Sequence, residues 1–121
     1  MQFIFTLGQV LFGGFFLYSG FNHFKHYKSM AGYATSKKVP MPTAAVLLTG
    51  LLLTLGGLGI IFSIMTAWAL VLISVFLFVT SFAMHNFWKS TEPMEKQMQI
   101  IQFTKNMALL GAALMLLALS W

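Results

Sequence analysis

The sequence predicts an all-α integral membrane protein, a bundle of four transmembrane helices. Hydrophobic residues make up 59% of the 121-residue chain and charged residues only 7%, whereas soluble domains carry about 25% charged residues. All nine charges lie in two short windows, residues 25–38 and 89–105. Helices that are apolar on nearly every face have no polar surface to turn toward water. The long apolar runs are continuous rather than alternating, which disfavours a transmembrane β-barrel.

The four spans follow from the lengths of the uncharged stretches. A helix needs about 20 mostly apolar residues to cross a hydrocarbon core of roughly 30 Å. One such stretch precedes the first charged window, and another follows the start of the second. The block between Lys38 and Lys89 is long enough for two crossings with a turn near residues 62–66. We therefore predict one domain over residues 1–121, with helices at about 2–26, 43–62, 66–88 and 93–120.

The lysines predict the orientation of the bundle. All seven lie in or beside the connections between spans one and two and between spans three and four. Short lysine-rich loops stay on the cytoplasmic side, so we expect both termini to face outward (N-out/C-out) in a plasma (inner) membrane. Trp88 would mark the inner interface, and Trp68 and Trp121 the outer one. This topology accounts for the net charge of +5 and for contact with anionic lipid, so no nucleic-acid partner is invoked.

The chain contains no cysteine, which excludes thiolate catalysis, disulfide relay and iron–sulfur ligation by its own residues. His23 and His85 lie on different spans, an arrangement that can hold a b-type haem. Both also lie at the membrane edge, where histidines commonly bond to backbone, water or lipid phosphate. We favour this second interpretation over haem b, and we predict no metal site.

Polar side chains inside the spans gather near their cytoplasmic ends. Ser81, His85 and Trp88 follow helical spacing in the third span, and Gln99, Gln102 and Asn106 do so in the fourth. Amide and imidazole groups are costly in lipid unless they satisfy one another, so we expect these groups to converge. No catalytic residue is assigned. The candidate ligand-binding residues are Asn22, His23, His85, Trp88, Gln102, Lys105 and Asn106.

Lys105 has two interpretations. The 16 residues that follow it cover about 24 Å of helix, which places its backbone slightly inside the hydrocarbon. Its long side chain can reach the headgroups and anchor the helix there. Alternatively, because amides and His85 lie at the same depth, Lys105 can line a cationic or hydrogen-bonding site inside the bundle.

Several segments of the chain carry a family resemblance: Met84–Trp88, Phe103–Ala108, Tyr18–Gly20, Val39–Pro42 and Gly50–Gly57. With these segments, the tract from Ser81 to Gly111 resembles the DoxX family of small four-helix membrane proteins, and the resemblance extends over nearly the whole chain. Two positions depart from the family pattern: Gln9 stands where relatives often carry arginine, and Leu53 or Thr54 where many carry glutamate.

The resemblance implies a link to quinone or thiosulfate oxidoreductase complexes and to defence against oxidative stress. Our first hypothesis is an accessory subunit of a membrane redox complex that meets a quinone or a soluble oxidoreductase partner at its cytoplasmic face. The second is a non-enzymatic scaffold, assembly factor or oligomeric small-molecule carrier, in which the chain forms a homo-oligomer. A chain of 121 residues has little room to enclose both substrate and cofactor, so we do not expect catalysis by this chain alone.

Overall fold

The computed structural model describes residues 1–120; Trp121, and with it the prediction that this residue marks the outer interface, lies outside the described residues. The described part of the chain is helical and contains no strand. A short 3-10 turn, Phe87–Lys89, separates the last two helices. The helices are α1 Gln2–Lys25, α2 Tyr27–Ser36, α3 Pro42–Phe62, α4 Thr66–Met84 and α5 Pro93–Ser120.

Four segments of the structure are long and apolar enough to cross a membrane: α1, α3, Thr66–Lys89 and α5. Their outer faces carry large exposed apolar side chains such as Phe3, Leu48, Val75 and Met115. In water such a surface would be strongly unfavourable, whereas in lipid it is solvated. The prediction of an all-α membrane bundle is therefore confirmed, while the N-out/C-out orientation stays a prediction.

The helices pack mainly as two pairs, α1 with α3 and α4 with α5. Glycines let α1 and α3 approach closely: a Cβ on Gly20 would lie 2.9 Å from the carbonyl oxygen of Gly50, and a Cβ on Gly50 would lie 2.7 Å from the Cβ of His23. Small residues promote this kind of close helix contact in lipid. The core between the two pairs consists of Phe16, Leu53, Ile60, Ala69, Leu70, Ile73, Leu77 and Ala113.

The third membrane helix ends earlier than the sequence predicted. The prediction ran to about residue 88, whereas α4 ends at Met84 and His85 leaves the helical conformation with φ −117° and ψ 43°. The carbonyl of Met84 is free of the helix ladder at this end and accepts a hydrogen bond from Tyr33 instead, which stabilises the early stop. The other predicted ends lie within one residue of the observed ones.

The connection between α1 and α3 contains a helix of its own. Helix α2 follows α1 after a single residue, His26, and packs on α3 at the end of the bundle that carries most of the lysines. It buries Ala31 and Ala34 against the bundle and leaves its other face exposed. This placement covers one end of the space between α1, α3 and α4.

Candidate functional site

A cavity of about 420 Å³ lies between α1, α2, α3 and α4, within the usual range of ligand pockets, about 300–1,000 Å³. Its walls are mostly apolar, with polar groups at the end that α2 covers. The cavity is partly open rather than sealed. An amphiphile with a polar head and an apolar body fits this distribution. The main lining residues are His23, Tyr33, Val46, Phe76, Ala83 and His85.

Four residues from three elements form a hydrogen-bonded chain beside this cavity. The Tyr33 hydroxyl donates to the Met84 carbonyl oxygen over 3.1 Å. The Gln99 side-chain amide donates to the Tyr33 oxygen, and its Oε1 lies 2.8 Å from His85 Nδ1. This chain of hydrogen bonds joins α2, the end of α4 and the first turns of α5. It holds the His85 ring in one orientation at the cavity wall.

The Tyr33 phenol lies outside the membrane-spanning segments. Burial raises its pKa above the usual value, the hydrogen bond from Gln99 opposes this shift, and the negative charge of Glu95 adds to it. The phenol therefore stays protonated at neutral pH. A protonated phenol is what donation to the Met84 carbonyl requires.

A second contact fastens α2 across the bundle. Lys37 Nζ donates to Asn86 Oδ1 over 2.7 Å, and Asn86 is buried. Lys37 Nζ also lies 5.7 Å from the centre of the Tyr33 ring, at cation–π distance. The hydrogen bonds from Tyr33 to Met84 and from Lys37 to Asn86 thus tie the C-terminal end of α2 to the C-terminal end of α4.

His23 is held by its own helix. Its Nδ1 lies 2.7 Å from the carbonyl oxygen of Ser19, one turn earlier in α1. The ring packs at its edge against Phe76 of α4, with 6.1 Å between ring centres. His23 and His85 therefore line the same cavity from two different helices.

A smaller cavity of about 110 Å³ lies deeper, where all four membrane helices meet. At about 30 Å³ per molecule, it has room for about three waters. Asn106 is 5% exposed, and its side chain makes no hydrogen bond to any residue in the range 1–120. The polar side chains around this cavity are Ser19, Thr80, His85, Lys105 and Asn106, so His85 borders both cavities.

Lys105 contacts two helices. Its Nζ donates to Gln102 Oε1 over 2.8 Å within α5 and lies 5.3 Å from the centre of the Phe15 ring on α1. The side chain runs along the bundle surface beside the smaller cavity. Lys105 is exposed and borders the smaller cavity together with His85 and Asn106, and its role in a site stays a prediction.

Three candidate residues, Asn22, Trp88 and Gln102, line neither cavity. Trp88 is 49% exposed and packs in a cluster of rings with Phe82, Phe87 and Phe103. Asn22 is half-buried and makes no side-chain hydrogen bond within residues 1–120. The helical spacing that placed Trp88 beside His85 fails because α4 ends before both of them.

Comparison with known proteins identifies the family. A family model described as DoxX matches residues 4–86, more than two thirds of the chain. The chain belongs to the DoxX family. No curated protein matches this sequence. No solved structure matches it either.

The DoxX match covers α1 to α4 and ends at Asn86, so Lys105 and Asn106 of α5 lie outside it. Sequence reasoning missed two residues of the site in this DoxX-family protein, Tyr33 and Gln99. Gln99 belongs to the polar stripe of the fourth span, a signal that could have included it. Tyr33 lies 66 residues away from Gln99, in a connection whose path the sequence does not define.

Proposed function

We propose that this DoxX-family protein is an accessory subunit of a membrane redox complex, and that the larger cavity binds the head group of a lipid-soluble quinone. The observation that carries the proposal is the partly open, mostly apolar cavity with His23 and His85 in its wall. A quinone needs apolar contact for its ring and tail, and a few polar groups to orient its oxygens. The cavity offers both.

In this proposal, polar side chains of the smaller cavity make a second polar contact, either to the same ligand or to water beside it. Asn106 is only 5% exposed and borders this cavity, and a largely buried amide favours a hydrogen-bonding partner. Lys105 adds a cation at the same cavity. These residues, with Gln102 orienting Lys105, belong to the proposed site. Asn22 and Trp88 line neither cavity and are not part of this site.

The partner in this proposal is a membrane or peripheral oxidoreductase that meets the lysine-bearing end of the bundle. Six lysines, all except Lys105, lie in or beside the connections at that end and give it a positive charge. Charge of one sign steers partners of the opposite sign to a surface. The chain itself supplies binding in this proposal and not the redox chemistry.

The test is the quinone content of the purified protein. We expect a lipid-soluble quinone to co-purify in mild detergent and to be detected by chromatography of an organic extract. Ala83→Phe should displace it because Ala83 lines the larger cavity. Ala108→Phe is the matched control, because Ala108 is exposed on α5 and lines neither cavity.

Loss of quinone from Ala83→Phe alone would support the proposal. A parent protein without quinone, which also binds none when a short-chain quinone is added, would overturn it. That result would favour the second class of function, a non-enzymatic scaffold, assembly factor or oligomeric carrier.

A further inference from the structure

The hydrogen bonds behind the larger cavity determine which ring nitrogen of each histidine carries the proton. A carbonyl oxygen can only accept a hydrogen bond. His23 Nδ1 lies 2.7 Å from the Ser19 carbonyl oxygen, so Nδ1 must be the protonated nitrogen. In the neutral ring, His23 Nε2 then carries a lone pair and accepts.

The same conclusion holds for His85, through a longer chain of constraints. The Met84 carbonyl can only accept, so the Tyr33 hydroxyl hydrogen points to it. The Tyr33 oxygen must therefore accept from Gln99, which assigns the amide NH₂ to that side. Gln99 Oε1 is then the atom that faces His85 Nδ1, and an oxygen of this kind requires Nδ1 to donate.

Both histidines therefore offer the same chemistry to the cavity. Neither Nε2 makes a hydrogen bond to any of residues 1–120, and both histidines line the cavity. Two acceptor nitrogens suit a ligand with hydroxyl donors, whereas a ligand that carries only carbonyl oxygens would face them acceptor to acceptor. The tautomer of a histidine is normally set in this way, by the bond that the other ring nitrogen makes.

We infer that the cavity selects the reduced, dihydroxy form of a quinone over the oxidised form, with His23 and His85 Nε2 as acceptors for its hydroxyl groups. This inference rests on the proposed function and names the ligand form of that site. Gln99 and Tyr33 are positioning residues in this arrangement. They act on the ligand only through the tautomer of His85.

The first test reads the tautomers without any ligand. Protein with ¹⁵N-labelled histidine is measured by NMR in detergent at about pH 8, where histidines with ordinary pKa values near 6.5 are neutral. The chain has three histidines, and the third, His26, is exposed and its ring makes no hydrogen bond within residues 1–120, so it serves as the internal reference. We expect protonated Nδ1 and unprotonated Nε2 at His23 and His85. A protonated Nε2 at either residue, in a neutral ring, would overturn the inference.

The second test compares three ligands of matched shape under anaerobic conditions: a short-chain alkylhydroquinone, its dimethyl ether and the corresponding quinone. A single hydrogen bond changes binding by about three- to tenfold, so we expect the hydroquinone to bind at least threefold more tightly than either of the others. Equal or weaker binding of the hydroquinone would overturn the preference. Failure of all three ligands to bind would instead overturn the proposed function, and the NMR result would still report the tautomers.

The third test separates the positioning role from the fold. Gln99→Met keeps the length of the side chain but removes both hydrogen bonds, so we expect the His85 signals to lose the Nδ1–H pattern while those of His23 keep it. The ratio of hydroquinone affinity to quinone affinity should fall in the same variant. If Gln99→Met does not fold, Tyr33→Phe serves instead, since it frees the Gln99 amide to turn and should mix the two His85 tautomers. Unchanged His85 signals in the folded variant would show that this chain of hydrogen bonds does not hold the proton.

Discussion

Gly13 and Gly57 lie against each other at the contact between α1 and α3. A Cβ on Gly57 would lie 2.7 Å from the Gly13 carbonyl oxygen, and a Cβ on Gly13 would lie 2.9 Å from the Gly57 carbonyl oxygen. Both distances are shorter than real Cβ contacts, and both involve backbone atoms that cannot rotate away. The two helix backbones therefore approach as closely as they do only because both side chains are absent.

Gly57→Leu should destabilise the bundle. Larger side chains in packed positions usually cost about 1–3 kcal/mol, and here the obstacle is backbone. The measurement is thermal unfolding in detergent. Gly14→Leu is the control, because a Cβ at Gly14 meets nothing within 4 Å. If Gly57→Leu unfolds at the same temperature as the parent, the inference that α1 and α3 pack closely at Gly57 is wrong.

Tyr33→Phe should also lower the unfolding temperature, for a different reason. The substitution leaves the Met84 carbonyl and the Gln99 amide without their partner. Unsatisfied buried groups cost about 1–3 kcal/mol each at most sites. Tyr18→Phe is a matched control, since Tyr18 is 65% exposed on α1 and its hydroxyl bonds to no residue in the range 1–120. Equal unfolding temperatures for the two variants would contradict the proposed contribution of Tyr33.

The contribution of Tyr33 should depend on pH in one direction. Burial raises the pKa of the phenol in the folded state, above an unfolded value of about 10. The folded state thus favours the protonated form, and the stabilisation is fully present below about pH 10 and lost as pH rises through the folded pKa. The difference in stability between the parent and Tyr33→Phe should stay constant between about pH 6 and 9 and then shrink. A difference that grows above about pH 10 would contradict this sign.

Lys105 offers a test of charge at the smaller cavity. Lys105→Met preserves much of the length of the side chain and removes the cation, whereas Lys105→Arg keeps it. If Lys105 contributes to the proposed site, the quinone content of the purified protein should fall with methionine and remain with arginine. Retention with both would leave Lys105 as an anchor at the interface, held by Gln102 and Phe15.

The orientation can be tested by chemical labelling, because the chain has no cysteine of its own. Ile64→Cys places a thiol in the exposed turn between α3 and α4, and Ser36→Cys places one on the exposed face of α2. For the N-out/C-out topology, a maleimide that cannot cross membranes should not label position 36 in intact cells. It should label this position after the cells are lysed. It should label position 64 in intact cells, because with both termini outward this turn faces outside. Labelling of position 36 in intact cells, and of position 64 only after lysis, would show that the topology is inverted.

The sequence predicted the fold well because the physics of spanning a membrane is local. Charged windows around Lys38 and Lys89 delimit the spans, and their length alone sets the number of crossings. The site was predicted only in part. His85, Lys105 and Asn106 were grouped by depth and meet at one cavity. Trp88 was grouped by helical spacing, which α4 does not maintain past Met84.

Tyr33 was beyond the reach of periodicity. It lies in the connection between two spans, and its partners are Met84 and Gln99, 51 and 66 residues away. Which face of α2 meets the bundle depends on a turn at His26 and on packing against α3, and neither leaves a repeating pattern in the sequence. Contacts of this range become visible only when the helices are assembled.

The pairing of α1 with α3 and of α4 with α5 has a consequence for how the chain could be assembled. A break in the turn at Ile64 would produce two fragments, each of which keeps its closest helix partner within itself. The contacts that would have to form between them include the core and the hydrogen bonds from Tyr33 and Lys37 to Met84 and Asn86 and from Gln99 to Tyr33. Two co-expressed halves should therefore insert independently and reconstitute the bundle. The hydrogen bonds between the α2 region and the second half would then help to hold the two halves together.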